Sequence, residues 1–370
     1  MKVCYCCGTP LSTNNFSIEH IIPNSIGGKL KSSSLLCKSC NKLLGSEIDF
    51  ELGKQLNFFM NFFMVHRERG TYQPISGKTK KGEEYILNGT EIKSKPKITF
   101  DENNVSFSGN DEEDLKVYFK GLLKKYPILD IEEIIAKANK QRFYLNEPIT
   151  LNLNVGGDKV LRAISKVAVN FYIYKGGDRS NISNILNYIK GESEAKKIWY
   201  HFKLADQHLQ VTDQNLYHFI KIVGDSSERI VYCYIELFGT LKFIVYLDDN
   251  FIGESFDYQY FYNLFSKEII EQPINIYYKK SEIVEILNND DNQYFISSIH
   301  QNLQRTLNVA HKMHSDIVVS NIINESIEKV FGKRIGQTFT EEMLEEFVND
   351  ISYLMAVYLS RKEAGDKSYF

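Results

Sequence analysis

Between residues 46 and 69 the sequence SEIDFELGKQLNFFMNFFMVHRER places Ile48, Leu52, Leu56, Phe59 and Phe63 at helical spacing. Phe50, Phe58, Phe62 and Met64 widen the apolar stripe almost all the way round, so the predicted helix must be buried on most sides. Ser46 with Asp49 offers it a cap. Over 51–70 the stripe has two readings, a connecting helix docked on the next domain or a homodimer interface. Gly70 ends the pattern. From 71 to 110 the apolar positions alternate, with Asn-Gly, Lys-Pro and Glu-Asn-Asn turns between short strands. Residues 111–144 read as helix interrupted near Tyr126-Pro127. ITLNLNV (149–155) alternates like a half-buried strand, and DKVLRAISKVAVNFYIY (158–174) is an amphipathic helix ending at Gly176-Gly177. ERIVYCYIELFGTLKFIVYL (228–247) reads as a hairpin around Gly239, and INIYYKK (274–280) as a further strand. From about 281 the pattern is helical, closing on a last helix capped by Thr338 or Thr340.

Residues 1–45 differ from all of this. They are rich in Gly, Ser, Asn and Cys and have too few apolar residues for a core, so something else must hold them together. The chain of 370 residues is long for one core and suggests several domains. Its 43% apolar and 25% charged residues suit a soluble globular protein. No apolar run approaches the ~18 residues of a membrane span. MKVCYCC lacks the apolar stretch of a secretory signal, so a cytoplasmic location is expected, where thiols stay reduced. Net charge is −3, which excludes a basic nucleic-acid binder along the whole length. Residues 1–70, however, carry eight Lys/Arg against five Asp/Glu, which allows a local phosphate-binding face.

Five of the six cysteines fall in CYCCG (4–8) and LCKSCN (36–41). Cys4-x2-Cys7 and Cys37-x2-Cys40 are two thiolate hooks, and four thiolates satisfy tetrahedral Zn²⁺ at a closed structural site. Cys6 neighbours Cys7 directly and cannot chelate the same ion comfortably, so it is the spare. Cys233, in an apolar strand, reads as a core residue. Between the hooks lies SIEHIIPNSIGG (17–28). If the clamp ties the hooks together, Asn41 returns beside Glu19 and His20. A hard divalent ion takes oxygen ligands and substrate phosphate, and an imidazole near it can take a proton from attacking water. These parts suit phosphodiester hydrolysis.

CYCCG, EHIIPNSIGG and LCKSCN with its trailing LLGSEID resemble the HNH endonucleases of the ββα-metal group, in particular those clamped by a four-cysteine zinc knuckle, as in endonuclease VII-type resolvases. The resemblance implies that His20 is the general base and that Asn41, at the motif's last position, is a ligand of a catalytic Mg²⁺ or Mn²⁺. It implies that Glu19 can also bind that ion and that Cys4, Cys7, Cys37 and Cys40 hold structural Zn²⁺. The pattern departs from the family twice. The middle Asn of the motif is missing, with Ser32, Ser33 and Ser34 in its neighbourhood, and Glu stands at 19 where Asp is commoner.

The fold class expected is therefore α+β: a small zinc-stabilised ββα-metal module over 1–50, the apolar helix over 51–70, and an α+β recognition or regulatory domain over 71–370 with a helical subdomain from about 281. The activity expected is DNA cleavage, DNA ranking ahead of RNA, by a homodimer or by successive nicks. Anti-phage defence and mobile elements are settings suggested by analogy. Lys29, Lys31, Lys38 and Lys42 flank the site and can reach phosphates or simply be solvated. A regulatory ligand or partner protein is left to residues 71–370. The competing reading is a non-catalytic zinc-knuckle adaptor for nucleic acid or protein. Further candidate positions are His66 near a helix end, His311 and His314 three apart on a helix, the Gly156-Gly157 turn as an anion seat, and Arg162 with Lys166 as an extension of the basic face.

Overall fold

The computed structural model describes residues 2–68, 70–100, 105–110, 112–123, 131–136, 145, 147–194, 197–201, 211–288 and 292–363. In chain order, a short hairpin of β1 (Glu19–His20) and β2 (Lys31–Ser32) precedes α1 (Lys38–Leu44), a π-helical stretch (Gly45–Asp49), α2 (Phe50–Gln55) and α3 (Asn57–Phe62). Strands β3 (Ile75–Lys78), β4 (Glu84–Asn88), β5 (Glu91–Ser94), β6 (Lys97–Phe100) and β7 (Val105–Ser108) follow, then α4 (Glu112–Leu123) and α5 (Ile131–Ala136). Next come α6 (Asp158–Tyr174), α7 (Ser183–Lys190), β8 (Ile198–Tyr200), β9 (Tyr217–Asp225), β10 (Ile230–Leu237), β11 (Leu241–Asp248) and β12 (Phe256–Asn263). Helices α8 (Lys280–Asn288), α9 (Asn292–Phe331) and α10 (Glu341–Glu363) complete the described chain. None of the described helices is long and apolar enough to cross a membrane.

Residues 1–73 with 153–312 form one compact unit, and 74–152 with 313–370 form a second. The region beyond 71, which composition groups as one recognition domain, is thus shared between the two. The second unit holds the antiparallel sheet β3-β4-β5, with Gly89 at positive φ in its Asn-Gly turn, and the hairpin β6–β7. Its C-terminal helices are tied by Arg334 to Glu346 at 2.7 Å and by the rings of Phe331 and Phe347, 5.5 Å apart. ITLNLNV is not a strand: it makes one bridge, Thr150 to Lys78, and its Ile149 and Leu151 pack over Gly77.

In the first unit the sheet runs β12-β9-β10-β11-β8, antiparallel throughout. Every residue of β10 is buried, because both faces of the sheet are covered. Alternation, which marks a half-exposed strand, is therefore absent from β9, which the sequence pattern does not reveal, while β12, not buried over its first half, also lies outside the strands expected from sequence. One face receives α6. The other receives the stretch before α8, where Tyr232 accepts a hydrogen bond from the Tyr278 amide at 2.9 Å. INIYYKK is accordingly a covering segment rather than a strand.

The apolar run at 46–69 also departs from a single helix. Helix begins at Lys38, with Cys37 as N-cap, and stops at Phe62 before Met64 takes a φ of 50°. Ser46 does not cap it but donates to the Leu43 carbonyl at 3.0 Å. His66 lies beyond the helix end, its ring 6.1 Å from Tyr72. The stripe offered as a dimer interface is buried by this chain itself. Phe59 stacks on Phe238 at 4.9 Å and Phe63 packs on Phe265, while Phe50 stays largely exposed.

His218 on β9 fastens the sheet to the N-terminal residues. Its Nε2 donates to the Ile26 carbonyl at 2.8 Å, and its Nδ1 accepts from the Phe238 amide at 3.2 Å. Those roles require a neutral ring, and complete burial pushes its pKa from 6.5 down to about 4. The stabilisation is fully present above pH 6.5 and is lost as pH falls through the folded value, because the unfolded chain then binds the extra proton. The loss amounts to about 3 kcal/mol over that window. Urea midpoints measured from pH 7 to 4 should fall more steeply for the wild type than for H218N, whose amide stays neutral. Parallel slopes would contradict this account.

Candidate active site

The sulfurs of Cys4, Cys7, Cys37 and Cys40 all lie within 4.8 Å of one another. Cys7 and Cys37 Sγ are 3.8 Å apart, matching the edge of about 3.8 Å that a tetrahedron with Zn–S bonds of about 2.3 Å requires. The backbone builds this cluster. The first hook closes where the Gly8 amide donates to the Cys4 carbonyl at 2.8 Å with Gly8 at a φ of 77°. The second hook is the first turn of α1, with Asn41 N donating to Cys37 O at 2.9 Å. Tyr5 N donates to Leu35 O and Ser17 N to Leu36 O, so the segment before Cys37 runs between the two N-terminal strips. The residues fit a zinc ion, and it is the only such metal-ligating cluster among the described residues. Burial pushes the Cys4 and Cys40 thiols up, so they give up their protons readily only to a metal. Cys6 is buried outside the cluster, and its thiol is likewise pushed up by burial.

The hairpin and α1 give the ββα arrangement. Glu19 pairs with Ser32 and His20 with Lys31. Asn41, one residue past Cys40, donates from Nδ2 to the Ile18 carbonyl at 3.4 Å and so lies against β1. Neighbouring residues of a strand point to opposite faces, and this separates Glu19 from His20. His20 is partly exposed, with Nε2 buried 3.4 Å from Glu68 Oε2. Burial lowers its pKa below 6.5, partly offset by Glu68, so the ring is neutral at pH 7. Glu68 also lies 3.3 Å from Lys31, whose hydrogen bond holds the carboxyl below the usual range.

Glu19 points inward and is 5% exposed. Lys166 and Asn170 of α6 both donate to its Oε1, Asn170 at 3.2 Å. Lys166 also donates to Asp49 Oδ2 at 2.6 Å, leaving Asp49 Oδ1 buried without a hydrogen-bond partner among the described residues. Burial and the neighbouring Asp49 raise the Glu19 pKa against the pull of Lys166, whose own pKa the two carboxylates raise despite burial. Lys166 therefore stays an ammonium. Glu19, Asp49 and Asn41 are oxygen donors of the kind a hard divalent ion takes.

The other sequence candidates fall as follows. Arg162 and Lys166 do not extend a basic face: both are buried, and Arg162 Nε donates to the Ile189 carbonyl at 2.9 Å. Lys38 and Lys42 are exposed, Lys38 reaching the Asn14 carbonyl at 3.0 Å, and Lys29 is partly exposed. The Gly156 amide donates to Gln55 Oε1 at 2.9 Å, which occupies the turn that could have seated an anion. Cys233 is fully buried in β10. His311 and His314 join no metal-ligating cluster of the described residues. Glu68, Asp49 and Asn170 were not singled out as site residues from sequence. Only the trailing LLGSEID hinted at Asp49.

Residues 4–57 match a protein family described as HNH endonuclease. The match includes both cysteine hooks, β1, β2 and α1, and it ends before Glu68 and α6. No curated protein and no solved structure gives a match.

Proposed function

We propose that the protein is a metal-dependent HNH endonuclease that hydrolyses phosphodiester bonds in DNA. The observation that carries this reading is a neutral, half-buried histidine on a thiol-clamped hairpin, with Asn41 against the same strand, inside the segment that matches the family. His20 takes the proton of the attacking water. Glu68 beside Nε2 orients the ring and leaves Nδ1 as the nitrogen that receives it. Asn41 and Glu19, through its Oε2, would hold a Mg²⁺ or Mn²⁺ ion, which when bound supplies charge stabilisation at the scissile phosphate and the leaving oxygen. Lys29, Lys31, Lys38 and Lys42 line the approach and meet backbone phosphates without reading sequence. One such site cuts one strand, so a double-strand break takes two copies or two successive nicks. The second compact unit serves recognition or regulation.

The test uses the whole zinc-loaded chain on supercoiled plasmid, single-stranded DNA and RNA. Nicking that appears with Mg²⁺ or Mn²⁺ and disappears in EDTA is the expected result. If no polymer is cut with either ion, the reading fails and a non-catalytic nucleic-acid or protein adaptor takes its place.

A further inference from the structure

We infer that Asn170 and Lys166, on a helix outside the segment that matches the family, are positioning residues for both the catalytic ion and the base. The inference rests on the reading of Glu19 as an ion ligand. Lys166 and Asn170 stand one helical turn apart, so they face the same way, toward β1. Each is 1% exposed. Burying an ammonium and an amide is costly unless every polar atom is met, and packing alone is served better by apolar side chains.

Here the polar atoms are met by the proposed site. Asn170 Nδ2 donates to Glu19 Oε1 at 3.2 Å and to the His20 carbonyl at 3.1 Å. Its Oδ1 accepts from the Tyr5 hydroxyl at 2.7 Å. One amide group thus touches the ligand's side chain, the base's backbone, and the tyrosine that directly follows Cys4 of the clamp. Lys166 donates to the same Oε1. With two donors on one oxygen, the carboxylate cannot rotate freely, and Oε2 is the oxygen left for the ion. Groups that orient metal ligands from behind in this way typically change metal affinity about 10–100-fold when lost. The clamp, the ligand and the base are therefore fixed relative to one another through α6.

The test titrates Mn²⁺ into the zinc-loaded whole chain, reading free Mn²⁺ by its paramagnetic resonance signal. Zinc content and thermal midpoint are measured in parallel. Asn170→Ala should bind Mn²⁺ about 10–100-fold more weakly while keeping its zinc. Tyr5→Phe removes only the hydroxyl that holds Asn170 and should weaken binding less, in the same direction. Wild-type Mn²⁺ affinity in zinc-loaded Asn170→Ala overturns the inference; if that variant does not fold, wild-type affinity in Tyr5→Phe overturns it. It also falls if the wild type binds no Mn²⁺ beyond its zinc. Weakened Mn²⁺ binding in a protein that cuts nothing would uphold the positioning role and remove the nuclease reading. Unchanged binding in a protein that cuts would do the reverse.

Discussion

Cys37→Ser is expected to release the zinc and to unseat the hairpin that carries His20. Cys37 serves twice, as a member of the four-sulfur cluster and as the N-cap of α1. The residues before it bury a few apolar side chains, Ile21, Ile22, Ile26, Leu35 and Leu36 among them, and the four-sulfur cluster ties together the two hooks that frame them. Structural zinc contributes about 10–16 kcal/mol of apparent binding free energy in small zinc-folded peptides. That rivals the whole stability of an ordinary domain, about 5–15 kcal/mol. Zinc measured by atomic emission should fall from one per chain to none. The thermal midpoint should drop and residues 1–45 should become the first site of proteolysis. Cys6→Ser is the matched control and should keep its metal, since Cys6 stands outside the cluster. A Cys37→Ser protein with full zinc and an unchanged midpoint would show that the clamp is not what holds this segment.

The second large effect belongs to His20→Ala. Removing a general base costs about 10²–10⁴ in rate. Zinc content should stay at one per chain, because the ring touches no cluster cysteine. The pH profile gives a sharper check than the rate alone. Only the neutral ring accepts a proton, and burial lowers the His20 pKa, so activity should persist below pH 6.5 before its acid limb falls. Glu68 opposes that shift by favouring the charged ring. Glu68→Gln should therefore move the acid limb to still lower pH. A limb that stays in place in Glu68→Gln would detach Glu68 from the base, and a limb above pH 6.5 in the wild type would detach His20 from the chemistry.

The parts of the site legible in the sequence are those whose chemistry is local. Two Cys-x2-Cys hooks announce a tetrahedral cluster because the spacing itself sets the geometry, and the four sulfurs do converge. Asn41 is tied to Cys40 by one peptide bond, so the hook that places one delivers the other to β1. What was not legible depends on distant chain. Glu68 reaches His20 through a turn after α3, at a sequence distance that no spacing rule covers. Lys166 read as a surface cation because amphipathic patterning assumes that one helix face meets water. In α6 both faces are packed, against the sheet on one side and the N-terminal residues on the other, so its charged residues became interior ones. The same double burial hid β9, while the apolar run after Ser46 overstated a helix that Leu56 and Met64 interrupt.

The bond from His218 to Ile26, like the Lys166 pair, bears on where this chain can be divided. The recognisable segment stops at residue 57, yet its charges are neutralised and its carbonyls satisfied by residues more than a hundred positions later. A recombinant fragment cut at that boundary would hold a buried carboxylate with no counter-cation and an aromatic face, Phe59 included, cut away or bared. The stretch that carries the signature is a reading unit for comparison. The folding unit is larger and discontinuous, so a graft or truncation that keeps the active hairpin must carry α6 and the sheet with it.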